Sequence, residues 1–170
     1  MAGVAAGITG ALVMAMFAMI AAATYHGTGF FTPMYHIASS VIAPDTMMES
    51  AAQAQAGNLF YFEVWPAALG MALHLAVGAP FGALFPFVGR VVGVRGPAWI
   101  GLGVLYGAVV LALMAFVGLP IAAAVFGGGD PIGSMPAMAG WWTFAIEHLM
   151  FGAVLGVWFA RSRRRVEAAG

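Results

Sequence analysis

Charged residues divide the chain into four long apolar stretches. No charged residue occurs in residues 1–44, 64–89 or 96–129, and in residues 131–160 Glu147 alone is charged. About twenty apolar residues are enough for a helix to cross the hydrocarbon core of a bilayer. The pattern therefore predicts four transmembrane helices, at residues 4–24, 66–88, 98–126 and 141–160.

Composition places the chain among membrane proteins. Of its 170 residues, 63% are hydrophobic and 7% are charged, unlike a soluble domain. We therefore expect an all-α integral membrane four-helix bundle, with residues 1–170 forming a single transmembrane domain and residues 25–65 an outer loop at the interface. The expected partners are the lipid bilayer and other membrane subunits or a second copy, and no nucleic acid is expected.

The arginines lie on one side of the predicted spans. Arg90 and Arg95 occupy the short connection between the second and third spans, and four more arginines follow the fourth span within residues 161–165. Cytoplasmic loops are enriched in positive charge. We therefore predict that both termini face the cytoplasm of a bacterial inner membrane and that the acidic loops face outward.

A nine-residue pattern occurs twice in the predicted spans. Residues 74–82 and 148–156 share histidine, leucine, glycine, alanine and glycine in the same register. Residues four apart lie along one face of a helix, so each copy carries a glycine stripe headed by an imidazole. We expect the two stripes to pack against each other and to bring His74 and His148 face to face.

A weaker similarity links the first and third spans. Gly107 and Ala108 echo Gly10 and Ala11, with alanines following at matching positions. Together with the stronger repeat, this predicts a duplicated two-helix unit with a pseudo-twofold axis along the membrane normal. Small residues allow close helix contacts in membranes. The glycines predicted at such contacts are Gly3, Gly7, Gly10, Gly78, Gly82, Gly103, Gly107, Gly152 and Gly156.

Local signals predict some of the remaining structure. Thr46 and Glu49 have the spacing of a capping box, so a helix with Thr46 as its N-cap is predicted over residues 46–56, ending before Gly57. Pro80 is expected to kink the second span. The link between the third and fourth spans, after its glycine-rich turn, is expected to be irregular.

Ionisable side chains are rare inside the spans. Glu147 and His148 are neighbours in the fourth span, while His74 and Tyr106 lie in the second and third. A charged group at that depth costs about 2.5 to 3.5 kcal/mol on insertion scales, so Glu147 should face protein or water. We expect Glu147 and Tyr106 to be hydrogen-bond partners of the histidine pair.

The histidine pair has three interpretations. Each imidazole could tie neighbouring helices together through a hydrogen bond, which we favour. The two rings could instead ligate a metal or a haem iron, or they could line a proton path together with Glu147. No cofactor is the favoured expectation, and haem or copper is the alternative.

The outer loop also contains possible soft metal ligands. Thioether sulfur combined with imidazole suits Cu(I), although methionine is also a common filler of apolar surfaces. The candidate ligands, counting the histidine pair, are His26, Met34, His36, Met47, Met48, His74 and His148.

The chain resembles the YagU-like inner-membrane proteins over about its C-terminal two thirds. The resemblance is carried by His74, by Gly103 and Gly107, by Pro120, and by the His148-Leu149 pair that precedes the arginines at residues 161–165. It implies a four-helix inner-membrane protein without an established chemical activity and with a suggested link to acid tolerance.

Three classes of function remain. We favour a non-enzymatic structural or accessory subunit that packs in a larger membrane assembly. The first alternative is a proton or ion channel or transporter that uses Glu147, His148 and His74, and the second is a haem- or copper-binding module. Enzymatic activity is not expected, because cysteine is absent and no serine has a base and an oxyanion donor recognisable near it.

Overall fold

A computed structural model describes residues 1–127 and 129–167, with side chains through residue 162. All secondary structure in these residues is helical. In chain order the elements are α1 (Ala2–Ala23), α2 (Thr32–Ala38), α3 (Asp45–Gln55), α4 (Val64–Val92), α5 (Ala98–Leu113), a π-helical segment (Met114–Gly118), α6 (Leu119–Phe126), α7 (Gly129–Gly133), α8 (Met135–Met138) and α9 (Trp141–Glu167).

Four helices are long and apolar enough to cross a membrane. They are Ala2–Ala23, Val64–Val92, Ala98–Phe126 and Trp141–Ser162. The four predicted spans are therefore confirmed, with ends that differ by up to four residues. Runs of apolar residues that are this long determine helix position with little help from tertiary contacts.

The third span contains a π-helical segment that the sequence did not predict. In it the Leu119 N–H donates to the Met114 carbonyl, five residues back. Pro120 follows directly and has no N–H to bond the carbonyl of Phe116, four residues earlier. The wider turn accommodates that proline within a helix that continues to Phe126.

Two prolines lie inside α4, Pro80 and Pro86. Because Pro86 has no N–H, the Gly82 carbonyl lacks the donor that a regular helix would place four residues later. That carbonyl oxygen faces α1, 2.7 Å from the position that a Cβ on Gly3 would occupy. The missing donor and the close helix contact therefore occur at the same residue.

The predicted capping box is wrong. Helix α3 begins at Asp45 with Pro44 as its N-cap and without a side-chain cap, so Thr46 lies inside the helix. Glu49 accepts a hydrogen bond from the Gln53 side chain at 2.8 Å instead. Proline at the cap fixes φ near the helical value, and the Asp45 carboxylate suits the positive end of the helix dipole, so this start is favoured one residue earlier.

The predicted end of α3 is confirmed. Gly57 adopts a left-handed conformation with φ of 94°, and the Asn58 N–H donates to the Gln53 carbonyl at 2.9 Å. The link expected to be irregular instead forms two short helical turns, α7 and α8. Proline at the first turn of α8 explains why helical geometry is favoured there.

The chain forms two compact units. The arginine-end unit, named for its arginines, comprises Met1–Met14, Leu75–Leu111 and Ala145–Gly170, and the loop unit comprises Ala15–His74 and Ala112–Phe144. Each of the four long helices contributes residues to both units.

Each unit has its own apolar core. In the arginine-end unit Phe85 packs edge-on against Trp99 at 5.5 Å between ring centroids, and Trp99 stacks on Phe159 at 5.4 Å. In the loop unit Met19 and Met34 form the core with Ala15 and neighbouring phenylalanines. Aromatic rings therefore contact each other in the first core, and methionines pack with aromatic rings in the second.

Candidate functional site

Burial along α9 repeats every four residues and explains the position of Glu147. Within the arginine-end unit Glu147, Phe151, Leu155 and Phe159 are all buried. Residues four apart share a helix face, so Glu147 stands one turn before Phe151 on the face that enters the core. A carboxylate therefore occupies a position at which the pattern otherwise places large apolar side chains.

The neighbouring face of α9 packs against α5 through glycines. A Cβ on Gly103 would lie 2.9 Å from the Gly156 Cα, and one on Gly156 would lie 2.6 Å from the Trp99 carbonyl oxygen. Gly107 lies directly against the carbonyl of His148. The two backbones are in contact, and no side chain larger than hydrogen fits at these positions.

Helices α1 and α4 pack in the same manner. A Cβ on Gly7 would lie 2.5 Å from the Gly78 carbonyl oxygen and 2.9 Å from the Gly82 Cα. Gly3 faces Gly82 and the Ala83 Cα. Residue numbers rise along α1 as they fall along α4, so the two helices run antiparallel through this contact.

These contacts correct the expectation that the two repeated glycine stripes pack on each other. The stripe of α4 packs on α1, and the stripe of α9 packs on α5. Gly10 contacts the Phe151 ring, which also lies 3.7 Å from the Cβ position of Gly78. Periodicity identifies a small-residue face but not the helix that it meets.

The Glu147 carboxylate is buried without a partner among the described residues. Its side chain is 5% exposed, and no hydrogen bond or ion pair joins its oxygens to any residue of the described ranges. Every fully enclosed side-chain nitrogen or oxygen in those ranges has a hydrogen-bond partner. The oxygens of Glu147 are therefore not fully enclosed by protein.

The other polar residues of the predicted spans differ in burial and in their hydrogen bonds. His148 is buried in the arginine-end unit, whereas His74 belongs to the loop unit and is half-buried. Both histidines have interaction partners. Tyr106 donates its hydroxyl to the Phe81 carbonyl at 2.8 Å and contacts the Phe85 ring. The Tyr106 hydroxyl is thus committed to α4, and not to a histidine as expected.

The candidate soft ligands of the loop unit are mostly engaged with protein groups. Buried His36 donates from Nε2 to the Pro131 carbonyl at 2.7 Å. Burial lowers the pKa of His36, and its hydrogen bond to that carbonyl offsets part of the decrease. Met34 packs in the loop-unit core, Met47 is buried, and Met48 is exposed.

Sequence reasoning missed a polar cluster around Thr143. The Thr143 hydroxyl lies 2.8 Å from His26 Nε2 and 2.9 Å from the Tyr25 hydroxyl. Thr143 is buried, so these two bonds satisfy its hydroxyl. A threonine in the first turn of an apolar helix gave no signal of this role.

Within the described ranges, no group of three or more histidine, cysteine, aspartate or glutamate side chains could hold a metal ion. No protein-family model, curated protein or solved structure matches the chain, so the YagU-like resemblance stays a prediction.

Proposed function

We propose that the chain is a small, non-enzymatic proton-conducting membrane protein in which Glu147 is the proton-exchanging group. The observation that carries the proposal is a carboxylate that is 5% exposed and has no partner in the described ranges. A side chain needed only for packing would be apolar at this position. Ionisable groups inside membrane spans are costly and typically mark ion or proton pathways.

Helix irregularities are consistent with this proposal. The third span contains a π-helical segment, Met114–Gly118, and α4 contains two prolines. Interrupted helices are typical of transporters, and π segments often occur at functional sites. His148, next to Glu147 in the chain, supplies a second group that can exchange protons.

The glycine contacts reduce the support for the accessory-subunit hypothesis. That hypothesis relied on small-residue faces that could receive other subunits, but the glycines of these faces are covered by helices of the same chain. They support instead a duplicated two-helix unit. Gly7 contacts Gly82 in the same way as Gly103 contacts Gly156. In a duplicated unit Gly7 would therefore correspond to Gly103. The sequence similarity that aligns Gly10 with Gly107 differs from this correspondence by one residue.

The proposed orientation places both termini in the cytoplasm of a bacterial inner membrane. It is supported by the confinement of arginine to one set of connections. Topology reporters fused after Gly170 or inserted at Arg95 should read cytoplasmic, and a reporter at Gly128 should read external. A cytoplasmic reading at Gly128 would contradict the four-span arrangement.

Proton flux in proteoliposomes tests the proposed function. With an entrapped pH indicator and an imposed potassium diffusion potential, wild-type protein should acidify the lumen faster than protein-free liposomes. Glu147→Gln should reduce the rate to that of protein-free liposomes, whereas Glu49→Gln, at an exposed acid, should conduct like wild type. Equal flux through wild type and Glu147→Gln, with both variants folded by circular dichroism, would refute the proposal.

A second candidate function is the accessory subunit, and one surface of α4 favours it. Ala68, Ala72 and Ala76 are exposed at spacings of four residues, as in small-residue faces that mediate helix association. Under this alternative, mass measurement of protein from native membranes should show a second subunit or a dimer, and Ala72→Leu should abolish it. Visible absorption of the same sample tests for bound haem.

A further inference from the structure

The connection between α4 and α5 borders an open cavity that contains two arginines. The cavity has a volume of about 400 Å³ and is lined by residues that include Arg90, Arg95 and Trp99. Gly93 and Gly96 form the turn with φ of 74° and 54°, and a Cβ at either position would meet open space. The glycines are therefore required by the backbone angles of the turn, and not by crowding around it.

The two arginines have no acidic partner in the described residues. No ion pair or side-chain hydrogen bond of Arg90 or Arg95 occurs in that part of the chain. In the arginine-end unit the acid with a described side chain is Glu147, which lies in the core. Among the described side chains, the positive charge at the cavity thus has no acidic partner and is available to an external anion.

Exposed apolar side chains lie on the last turns of α4, close in sequence to Arg90. Phe87, Val91 and Val92, on the last turns of α4 beside Arg90, are all more than 60% exposed. These residues end a helix that is long and apolar enough to cross a membrane. A ligand with an anionic head and an apolar tail would satisfy both the arginines and this exposed surface.

We infer that the cavity binds the phosphate of an anionic phospholipid, held by Arg90 and Arg95. Guanidinium groups bind phosphate oxygens in a bidentate geometry. Basic pockets at the cytoplasmic ends of spans suit anionic headgroups. The apolar surface formed by Phe87, Val91 and Val92 accommodates an acyl chain, which inorganic phosphate does not possess.

Lipid binding to the purified protein tests this inference. Wild type should bind phosphatidylglycerol more tightly than phosphatidylcholine in native mass spectrometry from detergent. Arg90→Gln/Arg95→Gln should weaken phosphatidylglycerol binding by about 30-fold, from about 1 kcal/mol per arginine. Arg161→Gln, outside the cavity, should bind phosphatidylglycerol with wild-type affinity. Arg90→Lys/Arg95→Lys should bind it more tightly than the double glutamine variant but less tightly than wild type.

Three outcomes would overturn the inference. The first is that the folded double glutamine variant binds phosphatidylglycerol as tightly as wild type does. The second is an equal loss in Arg161→Gln, which would indicate general surface charge. The third is displacement of the lipid by inorganic phosphate at equal concentration, which would indicate a phosphate site that does not recognise lipid.

Discussion

The two units differ in which kind of interaction is more frequent between their segments. In the arginine-end unit, helices contact through glycine backbones, and the Tyr106 hydroxyl adds a hydrogen bond from α5 to α4. In the loop unit, side-chain hydrogen bonds join separate segments, at Thr143, between Thr32 and Ser50, and between His36 and Pro131. The loop unit also has a glycine contact, at Gly70 against the Met34 carbonyl, but side-chain hydrogen bonds between segments are more numerous there.

The difference between the two units follows from where their backbone N–H and C=O groups find hydrogen-bond partners. Regular helices pair their own N–H and C=O groups, so in an apolar environment close packing is the main source of contact energy. The loop unit contains turns and short helices, whose backbone groups need partners from elsewhere. The same chain therefore has one region sensitive to added volume and another sensitive to lost polar groups.

The largest expected effect is on the glycine contact between α1 and α4. In Gly82→Leu the new Cβ would fall on the Gly7 backbone, which cannot move as a side chain can, so we expect a loss of about 3 kcal/mol in unfolding free energy. Gly101→Leu is the matched control, because Gly101 faces open space. Similar unfolding curves for the two variants in detergent would show that the α1–α4 contact is not tight.

An intermediate effect is expected at Tyr35 of the loop unit. Its hydroxyl accepts a hydrogen bond from the Glu63 N–H at 2.8 Å and donates to the Tyr61 carbonyl at 3.2 Å. Tyr35→Phe leaves both backbone groups without this partner and should cost about 1 to 2 kcal/mol in unfolding free energy. Tyr61→Phe removes one exposed bond to Glu63 and should have a smaller effect. Equal losses would show that burial of Tyr35 does not matter.

The smallest expected effect is the contribution of His36 to the pH dependence of the unfolding free energy. Burial lowers its pKa below the ordinary value of 6.5, so below that pH the unfolded chain binds more protons than the folded one. The stability contributed by neutral His36 is therefore present above pH 6.5 and decreases as the pH falls through the lowered pKa. In detergent melts, His36→Gln should reduce the dependence of stability on pH in this range. The same pH dependence in wild type and His36→Gln would contradict the prediction.

The predictability of the fold differs between the two units. The four spans were predicted because their apolar length alone places them in a membrane, and the end of α3 because Gly57 suits a left-handed turn. The π-helical segment was missed, since Pro120 is compatible with either a kink or a widened turn. Helix α2 was missed although Pro33 stands at its first turn.

The site was predicted only in part. Glu147 was recognised because a charge inside an apolar span is conspicuous. Its lack of a partner among the described residues depends on the helices around it, which periodicity does not identify. For the same reason the glycine stripes were recognised but assigned to the wrong helices, and Thr143 was not recognised as the partner of His26 and Tyr25.

Water access to position 147 tests the central claim most directly. The natural chain has no cysteine, so Glu147→Cys and Ile146→Cys each provide one thiol, at neighbouring positions where the natural side chains are 5% and 42% exposed. Silver ions react with thiolates, which form in water and not in lipid. Each variant in liposomes is treated with silver, denatured and then alkylated, and mass spectrometry detects the alkylated thiols. The Glu147→Cys thiol should be protected by silver, and the Ile146→Cys thiol should be alkylated. Asn58→Cys is a water-accessible reference, whose thiol should also be protected. Alkylation of both the Glu147→Cys and the Ile146→Cys thiols, with the Asn58→Cys thiol protected, would contradict a proton path through Glu147.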